Sequence, residues 1–427
     1  MTTIRLSALF LVFLSAAPHF LHAQQDTVAA PKSRLTVGGY GEAVYSRHFY
    51  SDNVFRYSYA NKYKDDKGYG RVDLPHAVIM LGYDFGQGWT MGTEIEFEHG
   101  GVEAAVEKET EETGEFEQEI ERGGEVALEQ FWIQKSFGSH FNIRAGHIVV
   151  PVGMTNNNHT PNMFFGVYRP EGENTILPCT WHETGLSFWG CVGDWRYELQ
   201  ILPALNSNLF NDEGWIHNGS ASPYEFRPAN HLATAARVDW TGVKGLRLSL
   251  SGYVGKCNNN DIVTETNGKY YDIDGTVVVG AFDFAYRDRQ FIVRGNADYG
   301  YLSDAAAISA RNKNQTTMSG NPYPHTPVGE QAYDIALEAG VNLLGWSASS
   351  RSLFLFGRYD KYDSYIPASK LVDIEWCGRQ VVSGGLNYYP IPEIAIKAEA
   401  GVRLLSDKYN NEPFIAMGVT WCGYFKR

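Results

Sequence analysis

The sequence predicts an all-β chain: a 16-stranded antiparallel transmembrane β-barrel with short periplasmic turns, long outer loops and a third outer loop folded inward. Three observations predict it. Strand-like runs alternate apolar and polar residues at a period of two, as a wall between lipid and water requires. Their connections alternate strictly between short and long, the rhythm of an outer-membrane barrel. Aromatic residues sit beside the short connections (Phe85 and Trp89, Phe137 and Phe141, Trp195, Trp240, Phe291, Trp346, Tyr388 and Tyr389), which places a girdle at one membrane interface. After residue 23 no apolar run reaches the ~18 residues a membrane helix needs, so a membrane-spanning chain of this sequence spans with strands.

Taken in order, residues 1–23 read as a secretory signal peptide. Arg5 supplies the charge, 6–17 the apolar run and Leu21-His22-Ala23 the cleavage site. A short segment, 24–34, precedes the barrel proper, 35–427. The first strand covers 35–45. The second (72–85) and third (89–99) flank Gly86-Gln87-Gly88, a hairpin signal between alternating runs. In the third, Trp89, Met91, Thr93, Ile95 and Phe97 take one face and Glu94, Glu96 and Glu98 the other.

Strands four (125–137) and five (141–150) meet at the tight turn Gly138-Ser139-His140, and a thirty-residue connection, 151–180, follows. A connection of that length counts against a compact soluble domain and suits an outer loop. Strand six (181–190) turns at 191–194 into strand seven, where Trp195, Tyr197, Leu199 and Ile201 oppose Arg196, Glu198 and Gln200. Strands eight (231–240) and nine (246–256), ten (277–286) and eleven (291–301), twelve (333–344) and thirteen (352–361), and fourteen (379–389) and fifteen (393–405) form hairpins across short turns. Strand sixteen covers 413–425.

Charge and cysteine usage narrow the function. The formal net charge is −13, and residues 103–121 alone hold nine Glu against one Lys, so most of the acidity is one loop. No basic patch supports nucleic-acid binding. Such an acidic run is more often a solvated surface than a calcium site, which needs several carboxylates converging on one ion. Five cysteines, an odd number without metal-ligand spacing, argue against a disulfide framework. Cys179 and Cys191 bracket strand six, too far apart to pair. His182-Glu183 has no second His at helical spacing, so no metal centre is expected, and no cofactor.

The segment 127–134 (ALEQFWIQ), then Ile143-Arg144-Ala145-Gly146-His147, Pro151-Val152-Gly153 and, after the long loop, Glu183-Thr184-Gly185 resembles the phosphate-selective porin O and P family, particularly porin-like members from Bacteroidetes. The resemblance covers strands four to six and otherwise rests on architecture. It implies a homotrimeric channel in the bacterial outer membrane, embedded in lipid and passing small hydrophilic solutes or ions. A ladder of Arg and Lys is what a phosphate channel needs. The inferred lumen face instead mixes Arg144, Arg196, Arg237, Arg247, Arg294, Arg358, Lys397 and Arg403 with Glu94, Glu96, Glu98, Glu198, Asp239, Asp298, Glu338, Asp360 and Glu399.

In loop 151–180, Met163, Phe164, Phe165, Val167 and Tyr168 are too apolar for a solvated loop and need a wall to pack on. The constriction residues are therefore expected to be Arg144, Arg169, Glu171, Glu173, Asn156, Asn157 and His159. Glu171 and Glu173 facing Arg144 and Arg169 would leave the two signs nearly cancelled, with a weak cation preference added by the acidic mouth. Two other classes fit less well. A barrel enzyme needs a Ser or Asp nucleophile with His on adjacent strands, where this sequence offers Arg and Glu; a structural or surface-interaction barrel is expected to carry an appended domain.

Overall fold

The computed structural model describes residues 34–99, 105–108, 118–121, 126–222, 226–258, 260, 273–314, 327–369 and 371–426. The expected signal peptide and most of the acidic loop lie outside the described residues. The rest is a closed antiparallel barrel in which each strand pairs with its sequence neighbour.

The strands are β1 (Leu35–His48), β2 in two segments (Tyr69–Asp73 and His76–Gly86), β3 (Trp89–Glu98), β4 (Val126–Ser136), β5 (Asn142–Val149), β6 (His182–Val192), β7 (Trp195–Pro203) and β8 (Leu232–Trp240). They continue as β9 (Leu246–Lys256), β10 (Thr276–Arg287), β11 (Phe291–Leu302), β12 (Gln331–Asn342), β13 (Ser352–Ile366), β14 (Gly378–Ile391), β15 (Ile394–Leu404) and β16 (Glu412–Lys426). Pairing of β1 with β16, from Val37↔Lys426 to His48↔Phe414, closes the wall and removes the free edge that an open sheet would present.

β2 is one strand interrupted at Leu74-Pro75. Both segments pair with β1, Val44 facing Asp73 and Gly41 facing Ala77. Proline has no N–H for the ladder and constrains the residue before it; the strand expected at 72–85 started three residues late and ran through this break. Strand six was also drawn short: Cys191 and Val192 remain in β6, and the turn is Gly193-Asp194. Within the acidic loop, Ala105–Lys108 pairs with Gln118–Glu121 as a small hairpin that the composition did not announce.

The two faces segregate as lipid and water demand. Leu250, Ile335, Leu337, Leu355, Ile396 and Val419 are exposed on the outside, while Glu94, Arg237, Asp239, Glu338, Arg358 and Asp360 are buried on the inside. Most of the aromatic girdle is outward and paired, as in Trp195 with Trp240 and Phe291 with Trp346. Tyr389 is the exception, since it turns inward against Phe354. Towards the long-loop rim, residues from loops 150–181 and 204–231 and from helix α1 (Ala305–Asn314) join the wall in an internal apolar core that includes Trp181, Trp215 and Ile308.

Candidate functional site

Loop 150–181 lies inside the barrel, and its own composition explains why. Phe165 stacks on Phe356 (centroids 5.2 Å apart) and tilts against Phe354, and Val167 packs on Val44 and Ala416. Burying such side chains is worth about 1.5–3 kcal/mol each, but it drags a polar backbone into the lumen, where every unpaired N–H and C=O is costly.

Wall side chains answer that cost. Lys397 on β15, only 1% exposed, donates from Nζ to the carbonyls of Pro161 (2.6 Å), Phe164 (2.9 Å) and Gly166 (2.8 Å). Glu338 on β12 accepts from the Phe165 N–H and Glu399 on β15 from that of Val167. Asp360 on β13 accepts from the Glu171 N–H, and Asn387 on β14 donates to the Phe165 carbonyl. At the loop's base Asn156 bridges its two ends: its Nδ2 donates to the carbonyls of Val150 and Trp181, and its Oδ1 accepts the Trp181 N–H.

The expected constriction residues do not converge on one eyelet. Glu171 meets Arg403 of β15 (Oε1 to Nε 2.6 Å, Oε2 to Nη2 3.0 Å) and the Tyr362 hydroxyl, rather than Arg144 or Arg169. Burial pushes its carboxyl up, but Arg403 outweighs burial and holds the group at about 2. Glu173, expected at the eyelet, is only 2% exposed and accepts N–H bonds from Met154, Thr155 and Asn156 of its own loop. Burial and then Asp283 raise it to about 7, against those amides. It shapes the loop and presents no charge to solvent.

Arg169 turns towards the loop's ends, with Nε donating to the His159 carbonyl and Nη1 to Thr180 Oγ1. His159 is buried beside Glu94, 3.9 Å away. Arg144 stands apart from all of these, stacked over Trp132 and hydrogen-bonded to Gln134.

Arg144 opens onto a recess on the short-turn side of the loop. Arg196, Arg237 and Arg247 complete a set of four arginines there, against Glu198 and Asp239, with Gln130, Val149, Pro151 and Asn157 between them. Arg237 bonds Asp239 (2.7 Å) and Asp283 (2.9 Å) and also donates to the Gly153 carbonyl, so the recess and the loop share a wall. Arg294 pairs with Glu338, and Arg358 with Asp360. Asp298 shares Asn296 with Asp334, and Glu96 is bonded to His76 (2.6 Å). Glu98 ends β3 at the long-loop rim.

Sequence reasoning missed Glu129. The ladder between β3 and β4 slips there, Glu94 facing Gln130 while Ile95 faces Leu128, so Glu129 is an extra residue in a β-bulge. Strict alternation would send Glu129 to the lipid. The bulge instead turns Glu129 and Gln130 inward together and leaves Leu128 and Phe131 both outside. Two adjacent polar residues between outward apolar ones are the signal that was available.

No family model matches the chain. An uncharacterized protein of Aquifex aeolicus (strain VF5) is 25% identical over 399 residues, covering 91% of this chain and 80% of that protein. Among solved structures, the chain is similar to an anion-selective porin from Comamonas acidovorans (TM-score 0.54, 11% identity, 91% of this chain and 99% of that one). It is also similar to the outer membrane channel DcaP of Acinetobacter baumannii (TM-score 0.53, 11% identity, 93% and 100%). OmpF of Salmonella typhi, in complex with daunomycin, aligns at TM-score 0.50 and 9% identity over 91% and 97%. At these identities the likeness is one of fold: a porin-type sixteen-stranded barrel.

Proposed function

We propose that the chain is a bacterial outer-membrane porin, a passive diffusion channel for small hydrophilic solutes or ions, with loop 151–180 as its constriction and no catalytic step. The observation that carries it is the seat of that loop: an apolar-outside, charged-inside barrel whose inner charges fix one long loop across the lumen. A homotrimer in the outer membrane belongs to the same proposal and rests on the resemblance to the O and P porins; export through a cleaved signal peptide belongs to it too and rests on residues 1–23. Planar-bilayer recording of the purified barrel tests it. Discrete conductance steps are expected, and an electrically silent barrel would refute the channel.

A specific observation favours a second, finer proposal of anion preference. Near-cancellation of Glu171 and Glu173 by Arg144 and Arg169 was expected, with a weak cation preference from the acidic mouth, but Glu171 is matched by Arg403 and Glu173 faces its own loop. Of the four arginines that face the recess, Arg196, Arg237 and Arg247 are paired with Glu198, Asp239 and Asp283, and Arg144, bonded to the neutral Gln134, supplies the excess positive charge. Charge in a narrow passage biases ions within ~8 Å at physiological salt. Reversal potentials in a salt gradient should show anion preference, reduced in Arg144→Gln plus Arg196→Gln. Phosphate blocking chloride current would extend the preference to phosphate.

A further inference from the structure

The β-bulge at Glu129 serves no need of the lumen already described, yet it delivers a second carboxylate to a buried point where Glu94 and His159 also converge. One ligand atom from each lies within 4.8 Å of the others. All three residues are nearly inaccessible, at 3%, 2% and 2% exposure for Glu94, Glu129 and His159. Glu94 Oε1, Glu129 Oε1 and His159 Nε2 have no hydrogen-bond partner. Three such atoms buried at one point are costly unless something of opposite charge joins them.

The remaining atoms of the same groups are all held. Gln130 Nε2 donates to Glu94 Oε2, and the Tyr40 hydroxyl donates to Glu129 Oε2. His159 Nδ1 lies 2.9 Å from the Asn156 carbonyl, which can only accept, so Nδ1 carries a proton and Nε2 is the nitrogen turned to the two carboxylates, free to bind an ion in place of a second proton. A carbonyl or carboxylate on the far nitrogen is how metal-binding histidines are oriented. Tetrahedral ligands ~2.1 Å from an ion stand ~3.4 Å apart, so a modest inward rotation of side chains now within 4.8 Å brings three of the four ligands to that spacing and leaves the fourth position for a solvent oxygen. Arg169, close by, directs Nε to the His159 carbonyl and Nη1 to Thr180, while its buried Nη2 has no hydrogen-bond partner among the described residues.

We propose that Glu94, Glu129 and His159 bind one divalent transition-metal ion, with zinc as the preferred occupant, which fastens loop 151–180 to the β3–β4 wall. Mixed imidazole and carboxylate ligands select zinc-like ions over calcium, which takes oxygen ligands alone. Because His159 belongs to the loop and both glutamates to the wall, the ion bridges the two.

The test is calorimetric titration of the chelator-stripped barrel in detergent with Zn²⁺, using Ca²⁺ as the control. One zinc per chain is expected, weakened about 10-fold or more in Glu129→Gln and in His159→Gln, since losing even an outer-shell partner costs 10–100-fold. His147→Gln, which breaks the neighbouring His147–His182 contact, should leave binding unchanged. No zinc binding, equal calcium binding, or loss in His147→Gln with retention in Glu129→Gln would each overturn the proposal. Should the variants fail to fold, zinc-edge anomalous diffraction from unmodified crystals soaked in Zn²⁺ decides. A peak among Glu94, Glu129 and His159 supports the site; a peak elsewhere, or none because a proton occupies Nε2, overturns it.

Discussion

Lys397 condenses the energetics of the lumen into one side chain. Its ammonium serves three loop carbonyls at once, and hydrogen bonds to charged groups contribute about 1.5–3 kcal/mol each. Lys397→Met keeps the stem but orphans those carbonyls. Protease should then cut within 151–180 while the barrel stays intact, and single-channel current should become noisier. Glu171 adds a pH dependence of known sign. Its folded carboxyl sits near 2 against an ordinary 4.5, so the Arg403 clamp is fully present above about 4.5 and is lost as pH falls towards 2. Conductance of the unmodified channel should change over that acidic interval, and Glu171→Gln should abolish the change. None of these pairings was legible in the sequence, because Glu171 and Arg403 are 232 residues apart and barrel closure alone makes them neighbours.

The strands themselves were legible, since period two and loop length are local consequences of placing a wall between lipid and water. Where single residues broke the pattern, it failed: at Pro75, which splits β2, and at Glu129, where an inserted residue reverses the side-chain phase. Loop and strand also meet through missing side chains. On β12, a Cβ at Gly340 would fall 2.4 Å from Phe165 Cζ, whereas one at Gly357 of β13 meets nothing within 4 Å. Gly340→Ala should therefore destabilise the loop seat by about 1–3 kcal/mol, the usual range for overpacking, and Gly357→Ala should be neutral. Thermal melts and single-channel noise compare the two.

For the whole molecule, the orientation follows from loop length: an epitope inserted at Glu112 should be reached by antibody on intact cells, and access only from the periplasmic side would reverse the barrel. All five cysteines are free thiols, so mass spectrometry without reductant should find no bridge, including none between Cys179 and Cys191. The internal apolar core was the least legible feature of all. Trp181, Trp215 and Ile308 come from three loops, and loops carry no periodicity to announce which of their apolar residues will meet.

The seat of loop 151–180 takes hold chiefly of main chain. Lys397 and Asn387 grip carbonyls, and Glu338, Glu399 and Asp360 grip N–H groups, whatever side chains those positions bear. The path of the loop is thus encoded in the barrel, while its side chains facing the passage are free to drift. Such a division lets point substitutions redraw the lining of the barrel in a replaceable insert, without re-evolving the frame that holds it.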